Sequence, residues 1–296
     1  MVFLSKITLG TAQLGFKYGI NNKVGKPSKD EALLILENAY NNGITSFDTA
    51  SSYGDSEKIL GYFLSKKKNG KYFISTKIKS LNKINVGNQN FKEKIFTEIK
   101  KSLINLNVKT IQNYLIHDYN DIVKYENLID ILLHAKKRKL INKLGVSVYS
   151  PDQADKVINL KSFDSIQIPI NIFDQRFLES NILKRLKDNK LLIFARSIFL
   201  QGLLFMPINQ LPKKLYKLRP YLIKLNEFCY KNKLNISSLA INFVKKIREL
   251  DSILIGVESV DQLQQNLNDF HRKNEFEIDY SLFKINDKNL IDPRKW

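Results

Sequence analysis

Asp48, Tyr53, Lys77 and His117 are the residues of this 296-residue chain whose types and spacing are best suited to moving a proton. Tyr53 follows Asp48 by five positions, in the run Ser51-Ser52-Tyr53-Gly54-Asp55, which could fold a phenol back over whatever site Asp48 faces. An ordinary phenol, with a pKa of about 10, gives up its proton reluctantly at neutral pH; a neighbouring ammonium stabilises the phenolate and strengthens the acid. Lys77 is the candidate for that charge. If Asp48 and Lys77 are buried they must neutralise each other, because an isolated charge is costly to desolvate. By themselves the two also fit a purely structural ion pair. Tyr53 and His117 in register favour chemistry, whereas His134 and His271 fall on a helix and near the tail and read as structural or solvated.

These groups need a scaffold that gathers distant segments, and the hydrophobic pattern supplies one. Short apolar strands are expected at 7–11, 45–49, 72–77, 113–117, 143–147, 165–168, 191–196 and 252–256. Amphipathic helical stretches lie near 30–40, 56–65, 92–105, 125–138, 151–159, 178–189, 220–246 (two helices, broken at 234–237) and 260–268. Unbroken alternation implies parallel strands, and eight repeats predict a (β/α)8 TIM barrel spanning 1–296 as a single domain. Such a barrel carries its chemistry at the carboxyl ends of the strands, where Asp48, Lys77, His117, Ser147, Gln167 and Arg196 fall. Ser28 with Glu31 predicts a capping box, Ser150-Pro151 a helix start, and Gly43 a helix end. The long irregular segments 16–27 and 199–217 both follow strands and belong to the same face, while the tail from about Arg272 is charged and less periodic.

Composition narrows the partners. With 43% hydrophobic and 26% charged residues the chain can bury a large core, which argues against general disorder. No apolar run is long enough to span a bilayer, the start lacks a secretory pattern, and Cys229 stands alone, so the expectation is a cytoplasmic protein without disulfides or a cysteine metal site. A metal-dependent barrel hydrolase would need clustered histidines and carboxylates that the sequence lacks. The formal charge of +19 invites a nucleic-acid role, but the lysines run along almost every expected helix and no basic stretch is interleaved with aromatics. The charge reads as solvated faces, with no nucleic-acid partner; its field could attract an anionic cofactor or substrate.

Eight runs then follow in order: Gly10-Thr11-Ala12-Gln13-Leu14-Gly15; Phe47-Asp48-Thr49-Ala50; Tyr53-Gly54-Asp55-Ser56-Glu57 with Leu60-Gly61; Ser75-Thr76-Lys77; Leu115-Ile116-His117; Gly145-Val146-Ser147; Gln167-Ile168-Pro169 with Asn171 and Asp174-Gln175-Arg176; and Gly256-Val257-Glu258-Ser259 with Gln262-Leu263 and Asn266. Any one is weak, but together they span the chain and resemble the aldo-keto reductase family. The resemblance implies a nicotinamide-dependent interconversion of carbonyl and alcohol, with Tyr53 as general acid, Lys77 lowering its pKa, Asp48 orienting Lys77 and His117 positioning the carbonyl oxygen. It further implies that Ser147 and Gln167 hold the carboxamide, and that the turn after the last strand and the helix at Val260 receive the phosphate and adenosine end through Gly256, Glu258, Gln262 and Asn266. Gly10, Thr11, Arg196 and Ser197 complete the implied cofactor contacts. Asn171, with Asp174 and Arg176, either binds substrate or locks the loop after the sixth strand. Glycines 10, 15 and 54 are expected to serve loop geometry.

Three positions depart from the family pattern. Val148 stands where many members have Asn, and Arg196 where many have an aromatic against the nicotinamide; a guanidinium can stack on a flat ring or reach an anionic substrate. Glu258 stands where NADP-using members carry a cation, so NAD(H) is expected over NADP(H). Segments 10–18 and 196–204 resemble those of bacterial members thought to act on sugars in surface-polysaccharide pathways, which implies a small or sugar-like carbonyl substrate. A second class of function, a nicotinamide-binding regulatory or structural subunit with little turnover, shares the binding residues but does not need the tetrad.

Overall fold

In the computed structural model, which describes residues 4–67, 70–81, 90–272 and 277–296, eight parallel strands close on themselves. They are β1 (Ile7–Gly10), β2 (Ser46–Asp48), β3 (Phe73–Ile78), β4 (Ile111–Ile116), β5 (Ile141–Ser147), β6 (Ser165–Pro169), β7 (Leu192–Arg196) and β8 (Ser252–Gly256), with β8 pairing back to β1. This is the (β/α)8 barrel expected from the alternation.

Register explains how residues far apart in sequence meet. Gly10 pairs with Asp48 on one side and Gly256 on the other, Asp48 with Ser75, Ser147 with Gln167, and Pro169 with Arg196. All lie at one rim. Side chains alternate across each strand, so every second residue enters the barrel and stacks in layers. Low in the interior, the rings of Phe73 and Phe194 stack with centroids 6.0 Å apart. One step up, Asn113 donates to the Ser75 hydroxyl at 3.0 Å and accepts from Ser165 at 2.7 Å. The next step up holds Asp48, Lys77 and Gln167. The alternate residues Ile74, Leu144, Ile166 and Ile193 are fully buried, and so are Ile35, Leu36, Ile99 and Leu132 of the helices.

Local signals set the helix ends. Ser28 and Glu31 form the expected reciprocal capping box before helix Lys29–Asn41, Ser150 accepts from the Gln153 amide at the start of Pro151–Leu160, and Gly43 takes a left-handed φ of 82°. The stretch expected at 125–138 is one helix, Leu128–Lys137, preceded by a short helix at Asn120–Lys124 that the pattern did not predict. Periodicity overestimated helix continuity at 178–189, which is split into Arg176–Glu179 and Ile182–Asp188. The expected break in 220–246 falls at 232–235, between Arg219–Lys231 and Ile236–Lys245. Segment 199–217 is not irregular but folds into three 3-10 turns. The tail packs back on the loop after β6: the Ile285 amide donates to the Phe173 carbonyl at 2.9 Å and Gln175 Nε2 to the Tyr280 carbonyl at 2.7 Å. Among the described residues no helix is long and apolar enough to cross a membrane.

Candidate active site

The upper layer of the barrel opens into a cavity of about 800 Å³. Its base is a buried ion pair. The Lys77 ammonium donates to Asp48 Oδ1 and, at 2.9 Å, to the Thr49 carbonyl, while Gln167 Nε2 donates to the other carboxylate oxygen. Asp48 and Lys77 are only 3% and 2% exposed, so each is the other's counterion in a place water does not reach. Gln167 is fully buried, and its Oε1 has no hydrogen-bond partner among the described residues. An orphaned buried acceptor calls for a donor from outside the protein.

Tyr53 reaches this layer from the turn after β2. The turn is held by the Tyr53 amide on the Ala50 carbonyl at 2.9 Å and by the Ser56 amide on the Tyr53 carbonyl at 3.0 Å. It also packs backbone to backbone against the loop after β1: a Cβ on Gly15 would sit 1.7 Å from the Tyr53 carbonyl oxygen, and one on Gly54 (φ +54°) 2.3 Å from the Gly15 carbonyl oxygen. Only glycines allow that approach. The same expectation fails at Gly10, where a Cβ would meet nothing nearer than 3.7 Å. The Tyr53 ring stands edge-on to His117 with centroids 5.8 Å apart, and the Lys77 ammonium lies 5.2 Å from its centroid.

The sequence suggested that Lys77 acidifies this phenol. The structure gives the opposite net direction. Burial pushes the Tyr53 phenol above its ordinary range, the Asp48 carboxylate adds to the rise, and Arg196 is the cation that opposes it. Lys77 itself is bonded to Asp48. Burial also lowers the Lys77 pKa, against the pull of Asp48. A second phenol shares the cavity: Tyr18, bonded to Gln201, is pushed up to about 12, chiefly by burial.

Of the implied cofactor contacts, Gly10, Thr11, Ser147, Gln167, Arg196, Ser197, Gly256, Glu258, Gln262 and Asn266 all line the cavity. Thr11 is fully buried, however, with its hydroxyl tied to the Asp48 carbonyl at 3.0 Å and to Ser56 at 2.6 Å, so it braces the rim. Ser259 caps helix Val260–His271, and Gln262 Oε1 accepts from the Glu258 amide at 2.9 Å. Burial raises the Glu258 pKa, opposed by its hydrogen bond from Gln262. Ser197 (φ 60°), Leu200 (φ 49°) and Gln201 (φ 56°) hold left-handed conformations just past β7, a cluster of backbone strain beside the cavity.

Asn171 does not join them. It is 1% exposed, its Oδ1 accepts from the Phe173 and Asp174 amides at 3.0 and 2.9 Å, and its Nδ2 donates to the Ser197 carbonyl at 3.2 Å. Arg176 likewise pairs with Asp174, so this trio locks the loop after β6. Sequence reasoning missed Tyr18, Tyr149 and Arg294, which also line the cavity. Tyr149 lies only two positions past Ser147 and could have been found; Arg294 sits in a tail whose return path no local pattern reveals.

Comparison with known proteins agrees with this geometry. Aldo-keto reductase YhdN of Bacillus subtilis is 29% identical over 207 residues, 68% of this chain and 60% of that protein, so the match spans less than two thirds of its length. The NADH-specific methylglyoxal reductase of Escherichia coli is 24% identical over 298 residues, 90% of each chain. The solved structure of a glycerol dehydrogenase from Gluconobacter oxydans superimposes with a TM-score of 0.70, at 24% identity, over 92% of this chain and 88% of that one. The description of the Aldo/keto reductase family matches residues 6–280, nearly the whole barrel and the rim that carries Asp48, Tyr53, Lys77 and His117; the chain belongs to the aldo/keto reductase family.

Proposed function

We propose that this protein interconverts a carbonyl and an alcohol on a small or sugar-like substrate with a nicotinamide cofactor, using Tyr53 as the general acid. The observation that carries the reading is the convergence of Tyr53, Lys77, Asp48 and His117 on one cavity, next to a buried Gln167 oxygen that lacks a donor among the described residues. That oxygen and the Ser147 hydroxyl suit a carboxamide. The capped helix from Val260, with Glu258, Gln262 and Asn266, suits the phosphate and adenosine end. A reduced nicotinamide bound there would supply the hydride.

The chain's own residues do the rest. His117 and Tyr53 hold the carbonyl oxygen from two sides. As that oxygen gains negative charge it becomes a stronger base than phenolate, so even a phenol of raised pKa hands over its proton. The Lys77 ammonium, 5.2 Å from the centre of the Tyr53 ring, then lies near the phenolate, and Asp48 keeps the ammonium in place.

Glu258 supports a preference for NAD(H) over NADP(H), since a carboxylate at this turn repels a ribose phosphate; the NADH-specific relative is in keeping with it. The lone, buried thiol of Cys229 fits a reducing, cytoplasmic setting. Following cofactor absorbance over a panel of aldehydes, ketones and sugar aldehydes tests both levels. Expected is turnover with NADH favoured over NADPH by about ten-fold or more in kcat/KM. An NADPH preference overturns the cofactor choice, and no turnover on any carbonyl overturns the reaction.

A further inference from the structure

The cavity holds a second charged cluster that the proton-transfer tetrad does not use. Arg196, at the end of β7, and Arg294, from the tail, both stand on the ring of Tyr149, with guanidinium carbons 4.2 and 3.4 Å from its centroid. Two cations at one ring repel each other, and the π face offsets only part of that cost. Nor does the protein neutralise them fully. Lys77 is cancelled by Asp48 and Arg294 is paired with Asp292 through Nε and Nη2 at 2.9 and 2.5 Å. Arg196 has no carboxylate partner among the described residues; its bonds go to Ser147 Oγ at 3.2 Å, the Val148 carbonyl at 2.9 Å and Ser197 Oγ at 3.3 Å. Arg294 Nη1 makes no hydrogen bond among the described residues. One positive charge is thus left uncompensated at a half-buried cavity wall, beside a guanidinium edge with a donor to spare.

The tail is held so that Arg294 lines the cavity. The Asp292 carboxylate accepts from the Arg294 amide at 3.1 Å and fixes the turn Pro293–Lys295, and Trp296 Nε1 anchors it on the Leu290 carbonyl at 3.1 Å. The loop after β6 carries the tail through Phe173 and Gln175, and Asn171 braces that loop.

We propose that Arg196 and Arg294, spaced by Tyr149, bind an anionic group, carboxylate or phosphate, on the carbonyl substrate. Forked guanidinium donors match the several acceptor oxygens of either group. The substrate class is then an aldehyde or ketone bearing a fixed negative charge, with its charged end at the tail and its carbonyl at Tyr53. This rests on the carbonyl-reduction reading and deepens it.

Isothermal titration of succinate, and separately of inorganic phosphate, into the NADH-saturated protein tests the site without turnover. Expected is saturable binding of at least one anion, the tighter identifying the source chemistry, with about ten-fold or greater weakening in Arg294→Gln and in Arg196→Gln. Arg196→Gln leaves the Arg294–Asp292 pair intact, so a loosened tail in the other variant does not blunt the result. No saturable binding, binding that neither substitution weakens, or displacement of NADH by the anion overturns the proposal. In parallel, kcat/KM for succinic semialdehyde over butanal is expected to fall about ten-fold in Arg294→Gln relative to the unsubstituted protein; an unchanged ratio contradicts it. Anion binding without reduction of any carbonyl would defeat the carbonyl-reduction reading alone, and reduction without anion binding would defeat this inference alone.

Discussion

Lys77 and Asp48 can be separated by mutation from the chemistry above them. Asp48→Ala strands a buried ammonium and should cost about 3 kcal/mol of stability in urea unfolding, whereas combining it with Lys77→Met should recover much of that loss. Equal losses in the single and double variants would mean the two do not act as a pair. Tyr53 has its own test in pH. Its folded-state pKa is raised, so the neutral phenol persists through the ordinary phenol range, and any stability from that form is present at lower pH and lost only as pH climbs past it. For catalysis, kcat/KM for reduction should show no decline due to Tyr53 below about pH 10. A decline nearer neutrality that Lys77→Met abolishes would restore the picture of an ammonium-acidified phenol. That direction was not legible in the sequence, because it is set chiefly by burial, which the assembled fold and no local pattern determines. The identities of Asp48, Tyr53 and Lys77 were legible, because their spacing repeats a recognisable run.

Strand positions were read to within a residue or two, since each is a short, largely buried run bounded by turn signals. Helix continuity was not, because an apolar stripe persists across a short interruption such as 180–181. The close approach of two loop backbones at Gly15 and Gly54 also lies beyond any local pattern, although glycine at both positions hinted at it. Gly15→Ala should displace the Tyr53 turn and lower kcat by about 100-fold or more, with helix content by circular dichroism unchanged. Activity within about two-fold of the unsubstituted protein would show that the turn tolerates separation.

A closed barrel brings eight strand ends to one rim, so residues scattered from 10 to 294 share one cavity. That much followed from the alternation of elements. The tail's return across the loop after β6 did not, since it rests on contacts between Phe173, Gln175, Tyr280 and Ile285 that leave no periodic trace. The same rim could serve a subunit that binds a nicotinamide and turns nothing over, and the phenol decides between them. The most direct measurement is therefore carbonyl reduction and NADH binding by Tyr53→Phe, side by side with the unsubstituted protein. Expected is a fall in kcat of about a thousand-fold with the NADH dissociation constant within about two-fold. Undiminished kcat in Tyr53→Phe would contradict the assignment of the acid, and with it the mechanism.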